Sequence, residues 1–325
     1  MYEQVKRFRI IILVLAIGSV GFFWLLRSCD GTVTGKETTN KFNSPEELGR
    51  ALFFDKRLSS NETIACASCH LPEKAFTDGQ PKSIGVEGRT SFRNATTLLN
   101  VKDAHFFTFD GNIENLEAQA LIPIQDSNEM NMQMGELLKR LKKIPEYERA
   151  AKELYNRDLD AWVITRSLAA FQRILVSNNS RFDRYLDGDM SALTEKEVKG
   201  WELFQEFQCI ECHSLPNFTN YQVYNNGLYL DYGIDQGRFR IAGDSSMIGA
   251  FKVPSLRNIE LTSPYMHDGS MKKIEDVLSH YASGGSGHIN EDMRIKKRAI
   301  TSDQKLFLVS FLHSLTDTTY MINFR

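Results

Sequence analysis

The sequence predicts an all-α fold made of two homologous domains, and two observations support this prediction. The pentapeptide Cys-x-x-Cys-His occurs twice, at residues 66–70 and 209–213. Each copy is followed by an Arg-Asn pair, at residues 93–94 and 257–258, then by an Asp-Gly pair, at residues 110–111 and 268–269, and then by an amphipathic segment with helical spacing. Because these landmarks come in the same order in both halves, we interpret the chain as an internal duplication.

The spacing of the repeated pentapeptide is typical of covalent haem attachment. One turn of helix brings two thiols to the two vinyl groups of one porphyrin, and the next imidazole is then placed to bind the iron. A single Cys-x-x-Cys would also fit half of a zinc site or a thiol redox pair. Here both copies are followed directly by histidine, and four of the five cysteines lie in them. The sequence therefore predicts two cytochrome c-like domains with one haem each, held by Cys66, Cys69 and His70 and by Cys209, Cys212 and His213.

The first of these domains is predicted to span residues 44–178 and the second residues 179–325. Ser44-Pro45-Glu46-Glu47 opens the first domain, because proline at the first helical position and carboxylates in the first turn mark a helix start. Segments 159–176 and 181–186 are predicted to form connecting helices between the two halves.

Residues 1–43 are predicted to be a signal or anchor segment followed by a flexible tether. Three basic residues precede an apolar run at residues 10–26, which fits an export signal or a single membrane anchor. Cys29 follows in a context that resembles a lipoprotein box, so it is a candidate for lipidation. We expect the rest of the chain to be periplasmic, either tethered to a membrane or released after signal cleavage.

The charge balance argues against a polyanionic partner. The chain has 39 basic and 41 acidic residues and a net charge of -2. No basic excess is present, so nucleic acid is not expected to bind.

The sixth position on each iron decides between electron transfer and chemistry. The two Asp-Gly pairs are 158 residues apart (268 − 110), and the same offset pairs Pro123 with Tyr281. Proline has no donor atom in its side chain, whereas tyrosine offers a phenolate oxygen. We therefore expect an open distal face at the first haem and a second haem capped by Tyr281, with three methionines as rival ligands: Met266, Met271 and Met293.

Two polar residues lie close to Pro123 in the sequence, Gln119 before it and Glu129 after it. Cleaving hydrogen peroxide requires a group that takes a proton from one oxygen and returns it to the other. A carboxylate beside an open iron can do this, so Glu129 is a candidate. A solvated surface role is the alternative for the same residue.

Taken together, the motifs resemble those of the bacterial di-haem cytochrome c peroxidase and MauG family. The resemblance covers about residues 44–315. Besides the two haem motifs it rests on the following stretches: Phe76-Thr77-Asp78-Gly79, Arg93-Asn94, Phe106-Phe107-Thr108-Phe109-Asp110-Gly111, Leu116-Glu117-Ala118-Gln119, Glu129-Met130, Pro254-Ser255-Leu256-Arg257-Asn258 and Pro264-Tyr265-Met266-His267-Asp268-Gly269.

This resemblance implies a peroxidatic N-terminal haem and an electron-transferring C-terminal haem in a two-domain, all-α fold. By motif position, Glu129 would be the acid-base residue and Gln119 its neighbour in the pocket. Hydrogen peroxide would be the substrate, and a small protein such as a cytochrome c or a cupredoxin would donate electrons. A homodimer is left open.

The resemblance also implies a calcium ion between the two domains. By motif position its ligands would be the side chain of Asn94 and the backbone carbonyls of Thr262 and Pro264. Oxygen donors of this kind suit a hard cation.

The chain departs from the family pattern at three positions. Members that need reductive activation carry a loop histidine after the position of Gly85, where this chain has Val86. Tyr281 stands where the usual methionine ligand falls, as in MauG-like members, and Phe109 replaces a tryptophan expected between the haems. We therefore predict a permanently open first haem, a second haem of low potential and poor stepwise hole transfer through residue 109.

The interpretation preferred from the sequence is a di-haem peroxidase that reduces hydrogen peroxide to water. One alternative is a MauG-like oxidase that modifies a partner protein through a high-valent iron state. A second alternative is a non-enzymatic di-haem electron carrier or sensor. His267 lies in a family motif, but the sequence assigns it no role.

Overall fold

A computed structural model describes residues 42–324 of the chain. The predicted anchor, the tether up to residue 41 and Cys29 lie outside these described residues. Within residues 42–324, no helix is both long and apolar enough to cross a membrane.

The described chain is mostly helical. Its α-helices are α1 Pro45–Phe54, α2 Cys66–Cys69, α3 Leu116–Gln119, α4 Leu121–Gln125, α5 Met134–Leu141, α6 Pro145–Tyr155, α7 Ala161–Arg173, α8 Arg181–Leu186, α9 Glu195–Glu206, α10 Phe239–Ala242, α11 Ile274–Ser283 and α12 Ser302–Ser314. Two short strands, β1 Val223–Asn225 and β2 Ala250–Lys252, pair antiparallel with Tyr224 opposite Phe251. This small sheet was not predicted from the sequence.

The predicted helix starts agree with the observed caps. The Ser44 side chain accepts a hydrogen bond from the backbone N–H of Glu47, and Pro45 occupies the first turn of α1. The predicted connecting helices are α7 and α8, although α7 begins two residues later than predicted because the Asp160 side chain caps it.

Buried apolar side chains form two main clusters. The first lies between α1, α6 and α7 and includes Leu48, Phe53 and Phe171. The second lies between α8, α9 and α12 and includes Phe182 and Phe311. The chain terminus returns to the first cluster, where the hydroxyl of Tyr320 donates to the carbonyl of Pro72 at 3.0 Å.

Each half is held by one close helix pair that crosses at a glycine. A Cβ on Gly49 of α1 would lie 1.8 Å from the carbonyl oxygen of Ser167 in α7. A Cβ on Gly200 of α9 would lie 2.0 Å from the carbonyl oxygen of Phe307 in α12. Both glycines also approach the Cβ of a phenylalanine, Phe171 or Phe311. The residues that face the two glycines are related by one offset of 140 residues (307 − 167 and 311 − 171). The same packing therefore recurs in both halves.

A buried asparagine ends the same loop in each half. Asn100 and Asn258 both have φ of 59°, and each donates its N–H to the carbonyl of the leucine after a long helix, Leu175 or Leu315. The side-chain oxygen of Asn100 accepts a hydrogen bond from the N–H of Ser177 at 2.9 Å. In the same way, the side-chain oxygen of Asn258 accepts one from the N–H of Asp317 at 2.7 Å. The offset is again 158 residues (258 − 100).

This finding corrects one landmark of the sequence analysis. The repeated Arg-Asn pairs suggest that Arg93-Asn94 corresponds to Arg257-Asn258, but the structure places Asn100 at the position of Asn258. Arg93 instead lies between the halves, where its guanidinium contacts Asp110 at 3.1 Å and Asp235 at 2.7 Å.

The contact between the halves is reciprocal. The N–H of Asn94 donates to the carbonyl of His267 at 2.9 Å, and the N–H of Lys252 donates to the carbonyl of Phe109 at 2.6 Å. Both pairs obey the 158-residue offset, since 252 − 94 and 267 − 109 are equal. Each half therefore gives the other an equivalent donor and an equivalent acceptor, as across a two-fold axis.

We predict that Gly49→Ala and Gly200→Ala each lower the free energy of unfolding by about 1 to 3 kcal/mol, because the added methyl group overpacks a helix crossing. Chemical denaturation of the haem-loaded protein measures this. Gly135→Ala in α5 is the matched control, since its Cβ would meet no atom within 4 Å; it should be neutral or stabilise by up to about 1 kcal/mol. Equal stability of all three variants would contradict the prediction.

Candidate active site

The two motif histidines are oriented in the same way. In the first half, Nδ1 of His70 lies 2.8 Å from the carbonyl oxygen of Phe76. In the second half, Nδ1 of His213 lies 3.0 Å from the carbonyl oxygen of Phe218. A carbonyl accepts only, so Nδ1 carries the proton and the lone pair is left on Nε2. Both imidazoles are therefore held in the tautomer that binds a metal through Nε2.

The carbonyls that orient the histidines come from strained positions. Phe76 and Phe218 are fully buried, yet their φ angles are 59° and 52°, in the left-handed region that bulky residues rarely adopt. Such strain persists where the surroundings enforce it and is concentrated at functional sites. Each phenylalanine is followed by threonine, so the repeated Phe-Thr dipeptide is the sequence signal for this feature.

The chemistry of the donor set fits covalently attached haem. Cys66, Cys69, Cys209 and Cys212 are all free, as thioether formation requires. Burial lowers the pKa of both histidines, that of His213 to about 4, which keeps the rings neutral for ligation. Within residues 42–324, no three His, Cys, Asp or Glu side chains form a metal-binding group.

A cavity of about 60 Å³ lies beside the first motif. Cys66, Cys69 and His70 line it together with Gln119, Pro123 and Glu129, which are distant in the sequence. The structure thus brings all the residues predicted for the first site into one space. The remaining wall is largely apolar and includes Phe53, Leu98 and Leu168.

Pro123 shapes this wall through the backbone. It lies in α4, and α3 and α4 are separated at Ala120 instead of forming one helix. Proline has no N–H to donate to the carbonyl of Gln119, so the helix cannot run without interruption here. The corresponding helix of the second half, α11, is continuous and carries Tyr281.

Glu129 has the electrostatics of an acid-base group. Burial, with a smaller contribution from the nearby carboxylate of Asp126, raises the pKa of Glu129 to about 7. A group that both accepts and returns a proton works best with a pKa near the working pH. Its carbonyl accepts the N–H of Val86 at 2.8 Å, so the loop that holds Val86 also fixes the backbone of Glu129.

The approach of this loop depends on Gly85. A Cβ at Gly85 would lie 2.1 Å from the carbonyl oxygen of Asn128 and 2.5 Å from that of Glu129. Glycine is therefore required by the close backbone contact. The side chain of Val86 is fully buried.

Tyr281 lies near the second motif. Burial raises the pKa of Tyr281, whereas a hydrogen bond with the side chain of Asn226 acts in the opposite direction, and Cys209 and Cys212 are close enough to contribute. The amide of Asn226 also lies 3.5 Å from Sδ of Met266. Among the rival methionines, Met266 thus contacts the residue that also bonds Tyr281, whereas Met293 is 82% exposed.

Phe109 and Lys252 meet between the halves through the backbone bond already described. Burial lowers the pKa of Lys252 to about 8. Its ammonium group lies 5.9 Å from the ring centre of Tyr221, and no carboxylate of the described chain pairs with it. His267 stacks on Phe251 with ring centres 3.8 Å apart and lies 3.9 Å from a carboxylate oxygen of Asp235.

Of the predicted calcium ligands, Asn94 takes part in this contact. Asn94 donates its N–H to the loop at His267 and its side-chain N–H to the carbonyl of Gln80 at 2.7 Å. Its side-chain oxygen, and the carbonyl oxygens of Thr262 and Pro264, accept no hydrogen bond from residues 42–324. These three oxygens are available as donors to a hard cation.

Two residues of the first site were not predicted from the sequence, Gln172 and Ser83. Gln172 is buried and lines the cavity, but α7 was interpreted only as a connecting helix. Ser83 also lines it from the loop before Gly85. The buried face of α7 also holds the polar residues Thr165 and Ser167, so no distinct signal in the sequence marked Gln172.

Two oriented histidines beside paired free cysteines, in a mostly helical fold, define a c-type cytochrome. At the first of its two motifs, a cavity is lined by Gln119 and Glu129 as well as by the motif residues. Residues 43–191 match the family model described as di-haem cytochrome c peroxidase.

Similar proteins cover most of the chain. The methylamine utilization protein MauG of Methylorubrum extorquens (strain AM1) is 36% identical over 277 residues, covering 84% of this chain and 78% of that protein. Cytochrome c551 peroxidase of Nitrosomonas europaea is 34% identical, covering 83% and 79%. The crystal structure of a MauG-like protein associated with microbial copper homeostasis has a TM-score of 0.79 at 33% identity, covering 87% and 92%.

The chain therefore belongs to the di-haem cytochrome c peroxidase family. It is an oxidoreductase of the cytochrome c peroxidase type, and the family implies two c-type haems, hydrogen peroxide as substrate and a redox partner protein. The diheme peroxidase BthA of Burkholderia thailandensis, at 22% identity and a TM-score of 0.74, shares the fold.

We predict that the rate of reaction with hydrogen peroxide falls as pH drops through about 7, because protonated Glu129 cannot accept the peroxide proton. Below that pH the fall should approach about tenfold per unit, as for one titrating base. Stopped-flow mixing at a series of pH values measures it. Glu129→Gln should be slower by about 10²-fold or more at neutral pH and should lose the pH dependence. Exposed Glu136→Gln is the control, and a wild-type profile in Glu129→Gln would exclude the assignment.

Proposed function

We propose that the chain reduces hydrogen peroxide to water at the His70 site, with electrons that enter through the His213 site. The observation that carries this proposal is the cavity in which Glu129 and Gln119 face the first attachment motif. An iron porphyrin bound through His70 would supply the redox chemistry that breaks the O–O bond. The protein contributes position, proton transfer and exclusion of water.

Glu129 is proposed to be the acid-base residue of this reaction. Its pKa of about 7 leaves a large fraction ionised at neutral pH, ready to take the proton from peroxide. Once protonated, the same carboxyl can return the proton to the departing oxygen. Gln119 is proposed to hold the peroxide by hydrogen bonding, since its amide both donates and accepts. Pro123 offers no donor atom, so this side stays open to substrate.

The repeated packing of the two halves supports a division into domains at residues 44–178 and 179–325. The duplicated helix crossings and loop asparagines give each half its own scaffold. Tyr281 is proposed to be the sixth iron ligand in the second half, which would reserve that site for electron transfer. Val86 and the backbone contact to Glu129 favour a first site that needs no prior loop movement.

We propose that one calcium ion binds at Asn94, Thr262 and Pro264. Their free oxygens suit such a cation, and the ion would join the two halves at their reciprocal contact. The counterpart of Asn94 in the second half is Lys252, whose buried ammonium group would repel a second cation. This difference favours one ion over two.

The location and partners follow from the family and the amino terminus. A periplasmic location suits a c-type haem protein with an apolar segment at residues 10–26. The chain is proposed to be tethered to a membrane through that segment or through lipidated Cys29, or else to be released after signal cleavage. A homodimer is an additional proposal. The electron donor is proposed to be a small redox protein.

Steady-state turnover tests the function. With hydrogen peroxide present, we expect the haem-loaded protein to oxidise a reduced small c-type cytochrome at two electrons per peroxide. Loss of the cytochrome's reduced absorption band measures it. No oxidation of the cytochrome or of hydroquinone would exclude the peroxidase, and modification of a partner protein would then favour the MauG-like alternative.

The role of Tyr281 is tested by spectroscopy. We expect Tyr281→Phe to lose the low-spin ferric signal of one haem in electron paramagnetic resonance, because phenylalanine offers no oxygen ligand. Tyr265→Phe, whose hydroxyl contacts the carbonyl of Ile259 at 3.0 Å, is the control and should keep both signals. An unchanged spectrum in Tyr281→Phe would assign the ligand to another residue, with Met266 examined next.

A further inference from the structure

Gln172 is a buried polar residue of the first site to which the proposed function gives no task. It lies on α7, is 5% exposed and lines the cavity beside the first motif. Among residues 42–324, no group forms a hydrogen bond with its side-chain amide. Burying an amide without a partner is costly, so such a group in a folded protein requires an explanation.

The other buried polar side chains of α7 do have partners. The hydroxyl of Thr165 donates to the carbonyl of Trp162 at 3.3 Å, and the hydroxyl of Ser167 lies 2.9 Å from that of Tyr155. These hydroxyls are satisfied within the protein, as most buried polar groups are. Gln172 differs from them because it lines the cavity, and its partner would have to come from inside that space.

Contacts between α3 and α7 place Gln172 on the same wall as Gln119. Arg173 directly follows Gln172, and its guanidinium group lies 2.9 Å from both carboxylate oxygens of Glu117, which is on α3 with Gln119. The two helices also share a small buried apolar cluster. Both glutamines line the cavity, so two amides from two packed helices border one space.

The duplication shows that the helix packing does not require this amide. The offset of 140 residues that relates the two helix crossings pairs Gln172 with Leu312 (172 + 140). Leu312 is 4% exposed and belongs to the second apolar cluster. The neighbouring Leu168 pairs with Leu308, so the apolar wall is kept while the amide is not. The amide therefore accompanies the half in which the proposed function places the reaction.

We propose that the side-chain N–H group of Gln172 donates a hydrogen bond to hydrogen peroxide in the first cavity. This inference rests on the proposed function, because it adds a substrate-binding residue to the same site. Ionised Glu129 can only accept hydrogen bonds, so the substrate oxygens need donors from other side chains. An amide donates at every pH, and a donor fixed by its surroundings stabilises the negative charge that develops on a departing oxygen.

Fluoride is the probe, since it binds to ferric haem as a small anion, accepts hydrogen bonds and undergoes no turnover. The haem-loaded full chain is titrated with fluoride and compared with Gln172→Leu, which introduces the residue type of the equivalent position in the second half. Thr165→Val is the matched control, because it removes a buried polar group of the same helix whose partner lies within α7. Chemical denaturation gives the stability of each protein.

We expect Gln172→Leu to bind fluoride about tenfold more weakly, the scale of one hydrogen bond to a charged group. Thr165→Val should bind fluoride like the unmodified protein. Because the Gln172 amide has no partner in residues 42–324, Gln172→Leu should be at least as stable as the unmodified protein. Unchanged fluoride affinity would assign the amide to the porphyrin instead, and a less stable or unfolded Gln172→Leu would assign it to the scaffold; either result overturns the inference.

The pH profile separates direct contact with the substrate from an effect through Glu129. Burial and the carboxylate of Asp126 account for the raised pKa of Glu129. Gln172→Leu should therefore react with peroxide about tenfold more slowly at every pH and keep the midpoint near 7. A shifted midpoint would show that Gln172 acts through Glu129, contrary to the inference.

Fluoride binding also separates this inference from the proposed function. If the unmodified protein turns over peroxide with no donor, while Gln172→Leu loses fluoride affinity, the function is wrong and Gln172 remains a donor to ligands of the first site. If the unmodified protein reduces peroxide, while Gln172→Leu binds fluoride and reacts normally, the inference is wrong and the function stands.

Discussion

The hydrogen bond between each motif histidine and a backbone carbonyl is the constraint on which both sites depend. Without a fixed acceptor at Nδ1, the imidazole of His70 could adopt either tautomer and could rotate. The carbonyl of Phe76 reaches it only because the backbone turns through the left-handed region, and the buried aromatic ring holds that strained residue in place. The core thus stabilises the ligand geometry through a main-chain atom. The same arrangement at His213 and Phe218 shows that it belongs to the repeated scaffold.

The repeated scaffold places different chemistry at equivalent positions. Pro123 corresponds to Tyr281, Asn94 to Lys252 and Phe109 to His267, all by the offset that relates Asn100 to Asn258. At the last two pairs of positions the backbone role is kept: Asn94 and Lys252 both donate an N–H across the contact, and Phe109 and His267 both accept one. Side chains were therefore free to diverge while the contact between the halves remained. Only at Pro123, which interrupts the helix that is continuous in the second half, does the backbone itself differ.

Local patterns in the sequence predicted the parts that depend on neighbouring residues. The capped start of α1, the motif turn at Cys66 and the helix α8 all follow from short-range spacing. Contacts between distant residues were harder to predict. The pair Arg93-Asn94 matches Arg257-Asn258 in sequence, but Asn94 does not make the hydrogen bonds of Asn258. Asn100 makes the equivalent hydrogen bonds, although no arginine precedes it. Gln172 was missed for the same reason, since only the packing of α7 against the first motif brings it to the cavity.

In the loop beside Glu129, the backbone and the side chain of Val86 meet different requirements. The N–H of residue 86 and the small size of Gly85 set the distance between the loop and Glu129, so any residue with an N–H at position 86 would keep that distance. The identity of the side chain at position 86 is restricted by its surroundings instead, because they bury it completely. A histidine there would need a hydrogen-bond partner or a metal to offset its burial, whereas valine needs neither. With valine, the loop holds Glu129 through the main chain and offers no lone pair to an iron.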